Sequence, residues 1–384
     1  MTNTNHGTFL LALMLTVSSL VPSCTSNGIA TTGERTGNSS TRDAGVIDAV
    51  PNMTTQRAAH TATLLPDGKV LVAGGFSGDE NSLASAEVFD PMKSAFSFTG
   101  NMTAARAGHT ATLLPDGKVL IAGGYNGDYL ASAEVYDPAT RAFSPTAGMV
   151  TGRSGHVATL LNNGKVLLAG GVGTGWTFLA DAELYDPSTN TFTPTGGMTT
   201  ARESHTATLL RDGKVLIAGG HKGRRAAITI YASTEFYDPA AGTFSSGGDL
   251  TIRRHKHDAT LLADGRVLVT GGSDERDGQG AYRNAEVFNP ATGGFTAVGN
   301  MNAARYKLQG TTVLLTNGKV LIAGGATRAE VFDPATDSFA LANGDLGTKR
   351  LFAMATLLRN GQVLITGGYD DSQAVSANAW IYRA

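Results

Sequence analysis

The chain has 384 residues and a formal net charge of −2, so no basic field draws it to DNA or RNA and no nucleic-acid partner is expected. Its single cysteine, Cys24, excludes an internal disulfide framework. Its 49 glycines are spaced rather than clustered, which points to turns and not to low complexity.

The first element is an apolar run, "FLLALMLTVSSLV", from Phe9 to Val21. It is too short to span a bilayer comfortably and has the length of a signal-peptide core. The next residues, "VPSC", resemble a bacterial lipobox ending at Cys24, although Pro22 and the lack of Lys or Arg before Phe9 depart from that pattern. The expectation is a signal peptide over 1–23 and an exported protein, either a cell-envelope lipoprotein acylated at Cys24 or an extracellular one. Membrane attachment is expected only through that lipid. The stretch "TSNGIATTGERTGNSSTRDAG" is polar and aperiodic, and residues 24–43 read as a flexible tether.

From Arg57 onward the chain repeats itself. Seven Gly pairs stand about fifty residues apart, from Gly74-Gly75 to Gly367-Gly368. Each unit reads the same way. "HTATLL" is a first strand, Asp-Gly or Asn-Gly a hairpin turn, "KVLVAGG" a second strand buried on both faces, "AEVFD" a third and "AFSFTG" a fourth. Positive φ is expected at both central residues of each Asp/Asn-Gly turn. Pro91 and its equivalents restrict the chain after the third strand. Helical periodicity is absent. Four antiparallel strands per unit and seven units predict an all-β, seven-bladed propeller over 44–384.

The wedge shape of a blade fits this chemistry. Small Thr and Ala lie on the first strand near the axis, and aromatics fill the wider periphery, Phe89 with Phe96 and Tyr136 with Phe143 among them. The seventh unit ends after Trp380 and Tyr382, before any fourth strand. Residues Gly45 to Val50 are therefore expected to supply it, pairing beside Asn378–Tyr382 and closing the ring. A monomer is expected.

Four apolar residues, a Gly pair and two spaced aromatics, repeated seven times in register, resemble the Kelch repeat. The resemblance covers roughly Val46 to Ala384, with Phe where many Kelch repeats carry Trp on the outer strand. It implies a propeller scaffold that binds partners. Kelch-type propellers also include galactose oxidase and sialic acid mutarotases. The galactose oxidase cofactor needs a Tyr crosslinked to a Cys, and these blades contain no Cys. No cofactor and no metal are expected.

A residue present in every blade serves something every blade needs. Arg57/His60, Arg106/His109, Arg153/His156, Arg202/His205 and Arg254/His257 recur, as do Glu87, Glu134, Glu183, Glu235, Glu286 and Glu330. They read as partly buried Arg–Glu pairs with hydrogen-bonded histidines joining neighbouring blades. Aligned on the hairpin glycine, Gly310 and Ala353 take the histidine position in blades six and seven, so a symmetric histidine metal ring is unsupported.

Recognition is expected where the repeats disagree, in the loops between second and third strands. With the blade-to-blade links these loops share one face, and the uniform "DGK" and "DPAT" turns share the other. Three clusters stand out there. Tyr125, Asp128, Tyr129, Trp176 and Phe178 supply aromatic surface. His221, Lys222, Arg224 and Arg225 supply positive charge, and Asp274, Glu275, Arg276, Asp277, Tyr282 and Arg283 mixed charge. Such a face suits a glycan, acidic or neutral, or a partner protein. The Asp-containing loops lack the regular ligand series of a Ca²⁺ site. Two functions remain: a non-catalytic binding scaffold, or a carbohydrate-active enzyme of the mutarotase type using Arg224, Arg225, Glu275 and Asp277 around a sugar.

Overall fold

A computed structural model describes residues 44–78 and 81–384. The expected signal peptide, tether and acylated Cys24 lie outside the described residues. Seven four-stranded antiparallel sheets form the propeller. The first blade runs Thr61–Leu64, Val70–Ala73, Ala86–Asp90 and Ala95–Phe98, and the next five repeat its order. The described loops carry short 3₁₀ turns, such as Thr174–Trp176 and Asp277–Gly280, and two short ladders, Val172–Gly173 with Thr177–Phe178 and His221–Lys222 with Thr229–Ile230. Among the described residues no helix is long and apolar enough to cross a membrane.

The ring closes as the strand count requires. Val46–Val50 lies antiparallel to Ala379–Arg383, with Val46 opposite Arg383 and Val50 opposite Ala379. The pairing satisfies backbone groups on both segments and covers an edge. It also buries Ile47 and places it with Trp380 and Tyr382 in the core between blades six and seven.

Each second strand is buried along its whole length, as in Val70–Ala73, because a blade packs against neighbours on both faces. Third-strand aromatics sit between blades. Phe89 joins Leu364 and Ile381 of blade seven, and its ring lies 4.8 Å from that of Phe96. Tyr136 and Phe143 repeat that spacing in blade two.

The hairpin turns differ from expectation. Only the glycine takes positive φ, 85° at Gly68. Gly68 donates its N–H to Leu65 O at 2.9 Å, and Leu65 N donates to Lys69 O at 2.8 Å. This is an ordinary turn over Pro66-Asp67 followed by a left-handed glycine, a three-residue hairpin loop. Pro66 fixes its own φ in the negative range, which excludes a mirror-image turn starting there.

An interior girdle holds the links to the blades. Arg57, Arg106, Arg153, Arg202, Arg254 and Arg305 are wholly buried rather than partly so. Each pairs at 2.7–2.9 Å with the third-strand glutamate of its own blade, from Arg57–Glu87 to Arg305–Glu330. Glu87 also accepts the Thr54 and Thr55 N–H groups, and Arg57 donates to Gly74 O at 2.7 Å. Charge is thus matched and the guanidinium ends are hydrogen-bonded, the condition under which a buried pair persists, although Nε of Arg57, Arg106, Arg153 and Arg254 is buried without a partner. The Gly pair makes room for this: a Cβ on Gly74 would stand 2.6 Å from Arg106 O and from the His109 ring.

The histidines connect consecutive blades. His109 Nε2 meets Thr61 Oγ1 at 3.1 Å, His156 meets Thr110 and His257 meets Thr206 at the same distance. His205 lacks such a partner because Val157 stands where blades one, two and four carry Thr. In blade six the histidine position belongs to Leu308, not Gly310. Leu308 packs where a Cβ on Gly271 would reach, as His257 does against Gly219. Two extra residues, Gln309 and Gly310, then delay the first strand to Thr312. Alignment on the hairpin glycine absorbs that insertion in the wrong place.

Candidate functional site

On the face of the variable loops, three positions per blade surround the axis. Two are the residues between Arg and His in each link. They read Ala58-Ala59, Ala107-Gly108, Ser154-Gly155, Glu203-Ser204, His255-Lys256, Tyr306-Lys307 and Leu351-Phe352 around the ring. The third follows the Gly pair: Phe76, Tyr125, Val172, His221, Ser273, Ala326 and Tyr369. The backbone is common to all. The second link residue has positive φ throughout, from 48° at Ala59 to 62° at Gly155. The first link residue bridges the residue after the Gly pair, as in Ala58–Phe76 and Glu203–His221, in every blade except the sixth.

The chemistry on this shared frame is lopsided. Ala58, Phe76, Ala107, Tyr125, Leu351 and Tyr369, from blades seven, one and two, form one apolar cluster. Blades four to six place Glu203, His255, Lys256, Tyr306 and Lys307 at the same positions. Lys256 and Lys307 adopt φ of 54° and 55°, where blades two and three have glycine, and Asp277 joins them at 55°. A non-glycine residue there costs on the order of 1 kcal/mol. All three are buried and bonded to one another: Lys256 Nζ lies 2.8 Å from Asp277 Oδ1, and Lys307 Nζ 3.9 Å from Asp277 Oδ2. Lys307 also donates to Tyr369 Oη at 2.6 Å. Its Nζ lies 5.1, 5.6 and 5.3 Å from the ring centres of Tyr306, Phe352 and Tyr369.

Burial sets the protonation states. It pushes the Glu203 carboxyl up to about 7, against the pull of Lys256 and Arg224. It lowers the Lys307 ammonium to about 7, helped by Lys256 and opposed by Asp277. Burial also holds His221 down near 3 and His255 well below its ordinary value. The 3.7 Å contact between His221 Nε2 and Glu203 is therefore not an ion pair at neutral pH, because the imidazole is neutral there. His221 and His255 face each other through Nδ1 atoms 3.2 Å apart, a spacing that two neutral rings share with one proton between them.

These groups surround the mouth of an axial cavity of about 880 Å³. Its shaft is lined by the first strands, including Ala62, Ala111, Ala158 and Ala207, and its rim by Glu203, Arg224, Arg225, Lys256, Glu275 and Arg276. Of the sequence-predicted residues, the structure brings Trp176, His221, Arg224, Arg225, Glu275 and Arg276 to this mouth or its edge. The Arg224 guanidinium lies over the Trp176 ring, which meets Tyr129 edge-on at 5.8 Å. Phe178 packs edge-on against His221 at 5.6 Å. Among the described residues Arg225 has no hydrogen-bonding or ion-pair partner for its guanidinium.

The other predicted residues do structural work or point elsewhere. Tyr125 is buried in the apolar cluster. Asp274 is engaged by Arg276. Tyr282 lies under the Arg254 guanidinium, 5.7 Å away, and Arg283 donates to Met301 O at 2.7 Å. Lys222 is exposed and lines no part of the cavity. Asp128 is exposed and accepts the neighbouring Tyr129 N–H. Sequence reasoning missed Glu203, His255, Lys256, Tyr306, Lys307 and Phe352. Their signal lay in the two link positions that follow a repeated Arg, which the sequence reading did not single out.

Fold and girdle together define a seven-bladed β-propeller with an asymmetric axis. A family model for the Kelch motif matches residues 57–103, 105–150 and 153–199, so the first three blades are Kelch repeats, and the other four share their strand order. No curated protein sequence matches it. Among solved structures it is similar to a novel fungal alcohol oxidase with catalytic diversity among the AA5 family, in complex with copper. The TM-score is 0.68 at 17% identity, over 88% of this chain and 76% of that one. At that identity the likeness is one of fold. Among the described residues no three His, Cys, Asp or Glu side chains converge as a metal-binding group.

Proposed function

We propose that the protein is an exported binding module, tethered to the cell envelope through Cys24, whose ligand enters the axial mouth on the variable-loop face. Glycans and protruding segments of partner proteins are the ligand classes it suits. The observation that carries this reading is the lopsided mouth. One link backbone is used seven times, yet buried charge and left-handed lysines collect in blades four to six around a cavity of about 880 Å³. Scaffold needs do not explain that, because blades one to three meet the same needs with Ala, Gly and Ser.

A glycan and cell-envelope ligand screen with the full mature chain tests it. Specific binding abolished by Arg225→Ala or Trp176→Ala, with unfolding unchanged, supports it; hot spots on the opposite face overturn it. An acylated Cys24 in membrane fractions supports the envelope location, and an intact Met1 on cytoplasmic protein refutes it. One observation favours a second reading, the mutarotase-type enzyme. Glu203 titrates near 7 at the cavity rim, where a general acid–base works best. Anomer exchange followed by NMR, lost in Glu203→Gln, separates enzyme from binder.

A further inference from the structure

The cavity is divided, and the division specifies a ligand. The charged rim residues Arg224 and Arg225 come from blade four, and Arg276 and Lys256 from blade five. Lys256 and Arg276 already have carboxylate partners in Asp277 and Asp274, whereas the Arg225 guanidinium has none among the described residues. Glu203 is half neutral near pH 7, so it does little to offset that charge. Arg225 also holds φ at 50°, a strained backbone that aims an exposed side chain from the loop.

Across the axis, three blades away, the wall is apolar. Blade seven contributes Phe352, Ala353 and Met354, and the alanines of the first strands line the shaft below. Phe352 is held in place from behind by Lys307 Nζ, 5.6 Å from its ring centre, and faces Tyr369 at 6.1 Å. Lys307 is thus a positioning residue for an aromatic wall and not an anion contact. A neutral sugar or a neutral apolar molecule would leave Arg225 without a counter-charge, whereas a carboxylate with an apolar body meets both the rim and the wall.

We infer that the axial site takes a small organic carboxylate with an apolar body, its carboxylate at Arg225 and Arg224 and its body along Phe352, Met354 and the alanine shaft. The inference rests on the axial mouth being the binding site. An ionic, planar head suits the guanidinium fork, and an apolar body gains from displacing water in the shaft.

The test is calorimetric titration of the full mature chain with 3-phenylpropionate, its primary amide, glucuronate and a neutral hexose. The acid should bind at least about tenfold more tightly than the amide. Arg225→Ala should remove that difference while leaving amide binding unchanged, and Phe352→Ala should weaken acid and amide alike. Equal binding of acid and amide, tighter binding of glucuronate, or no binding of the acid overturns the inference. If a sugar binds at the mouth and the acid does not, the binding-site reading stands and this inference alone falls. If Arg225→Ala and Phe352→Ala both leave every bound ligand untouched, both fall.

Discussion

The links entering blades one to three and those entering blades four to six follow one path and carry opposite chemistry. Both have an Arg in the girdle and a left-handed second residue, and all but the sixth blade's link bridge to the residue after the Gly pair. In the first group the two intervening residues are Ala, Gly and Ser. In the second they are Glu203-Ser204, His255-Lys256 and Tyr306-Lys307. The difference teaches that the scaffold's demand on a link ends at the Arg and the backbone angle. What stands between is free to be chosen for other ends, even at the expense of strain and desolvation.

The comparison requires the girdle to be equivalent in both sectors. Arg106→Ala in blade two and Arg254→Ala in blade five should each lose about 3–5 kcal/mol, because each leaves a buried glutamate without its cation. Urea unfolding measures both, and a large disparity would break the equivalence. Asp277→Ala should cost about 3 kcal/mol by stranding Lys256 next to Lys307; no residue in blades one to three has a counterpart.

Buried histidines in both sectors, His60, His109 and His156 as well as His205 and His257, are held below their ordinary range, so stability rises with pH up to about 6.5. The polar sector adds two contributions of its own. Glu203 rises from 4.5 to about 7 on folding, so the native state keeps a proton the unfolded chain has lost. The Glu203 contribution therefore falls as pH rises from about 4.5 to 7, against the rise set by the histidines. Lys307 drops from 10.5 to about 7, so the unfolded chain holds the extra proton and stability recovers between about 7 and 10.5. Glu203→Gln should steepen the rise below pH 7, on the order of 3 kcal/mol, and Lys307→Met should flatten the alkaline limb. Unfolding measured across pH checks each limb separately.

Smaller effects sharpen the picture of the shared frame. Thr110→Val should cost about 1 kcal/mol by taking the partner from His156, and Val157→Thr should return about as much by supplying one to His205. Both are read from thermal melts. Ala59→Gly should gain about 0.5 kcal/mol, since relief of positive φ outweighs the added freedom of the unfolded chain. A loss there would mean that the link of blade one is not left-handed in solution.

Blade count, strand order and closure by Val46–Val50 were all legible in the residues, because each follows from a pattern that repeats every fifty positions and from counting strands. So were the Arg–Glu pairs and the face on which the loops gather. The hairpin geometry was not, since the same three-residue loop forms whether Pro66, Asn162 or Arg211 opens it, and the Asp-Gly pair alone does not set the loop length. The site was legible only in part. Trp176, Arg224 and Arg225 announced themselves as loop residues that differ between repeats. Glu203, Lys256 and Lys307 sat within a repeated motif, and their burial, strain and shifted protonation exist only once seven links meet at one axis. Periodicity in a chain determines what every blade shares. Convergence at the axis, where residues some fifty positions apart become neighbours in a desolvated space, was decided by the tertiary structure alone.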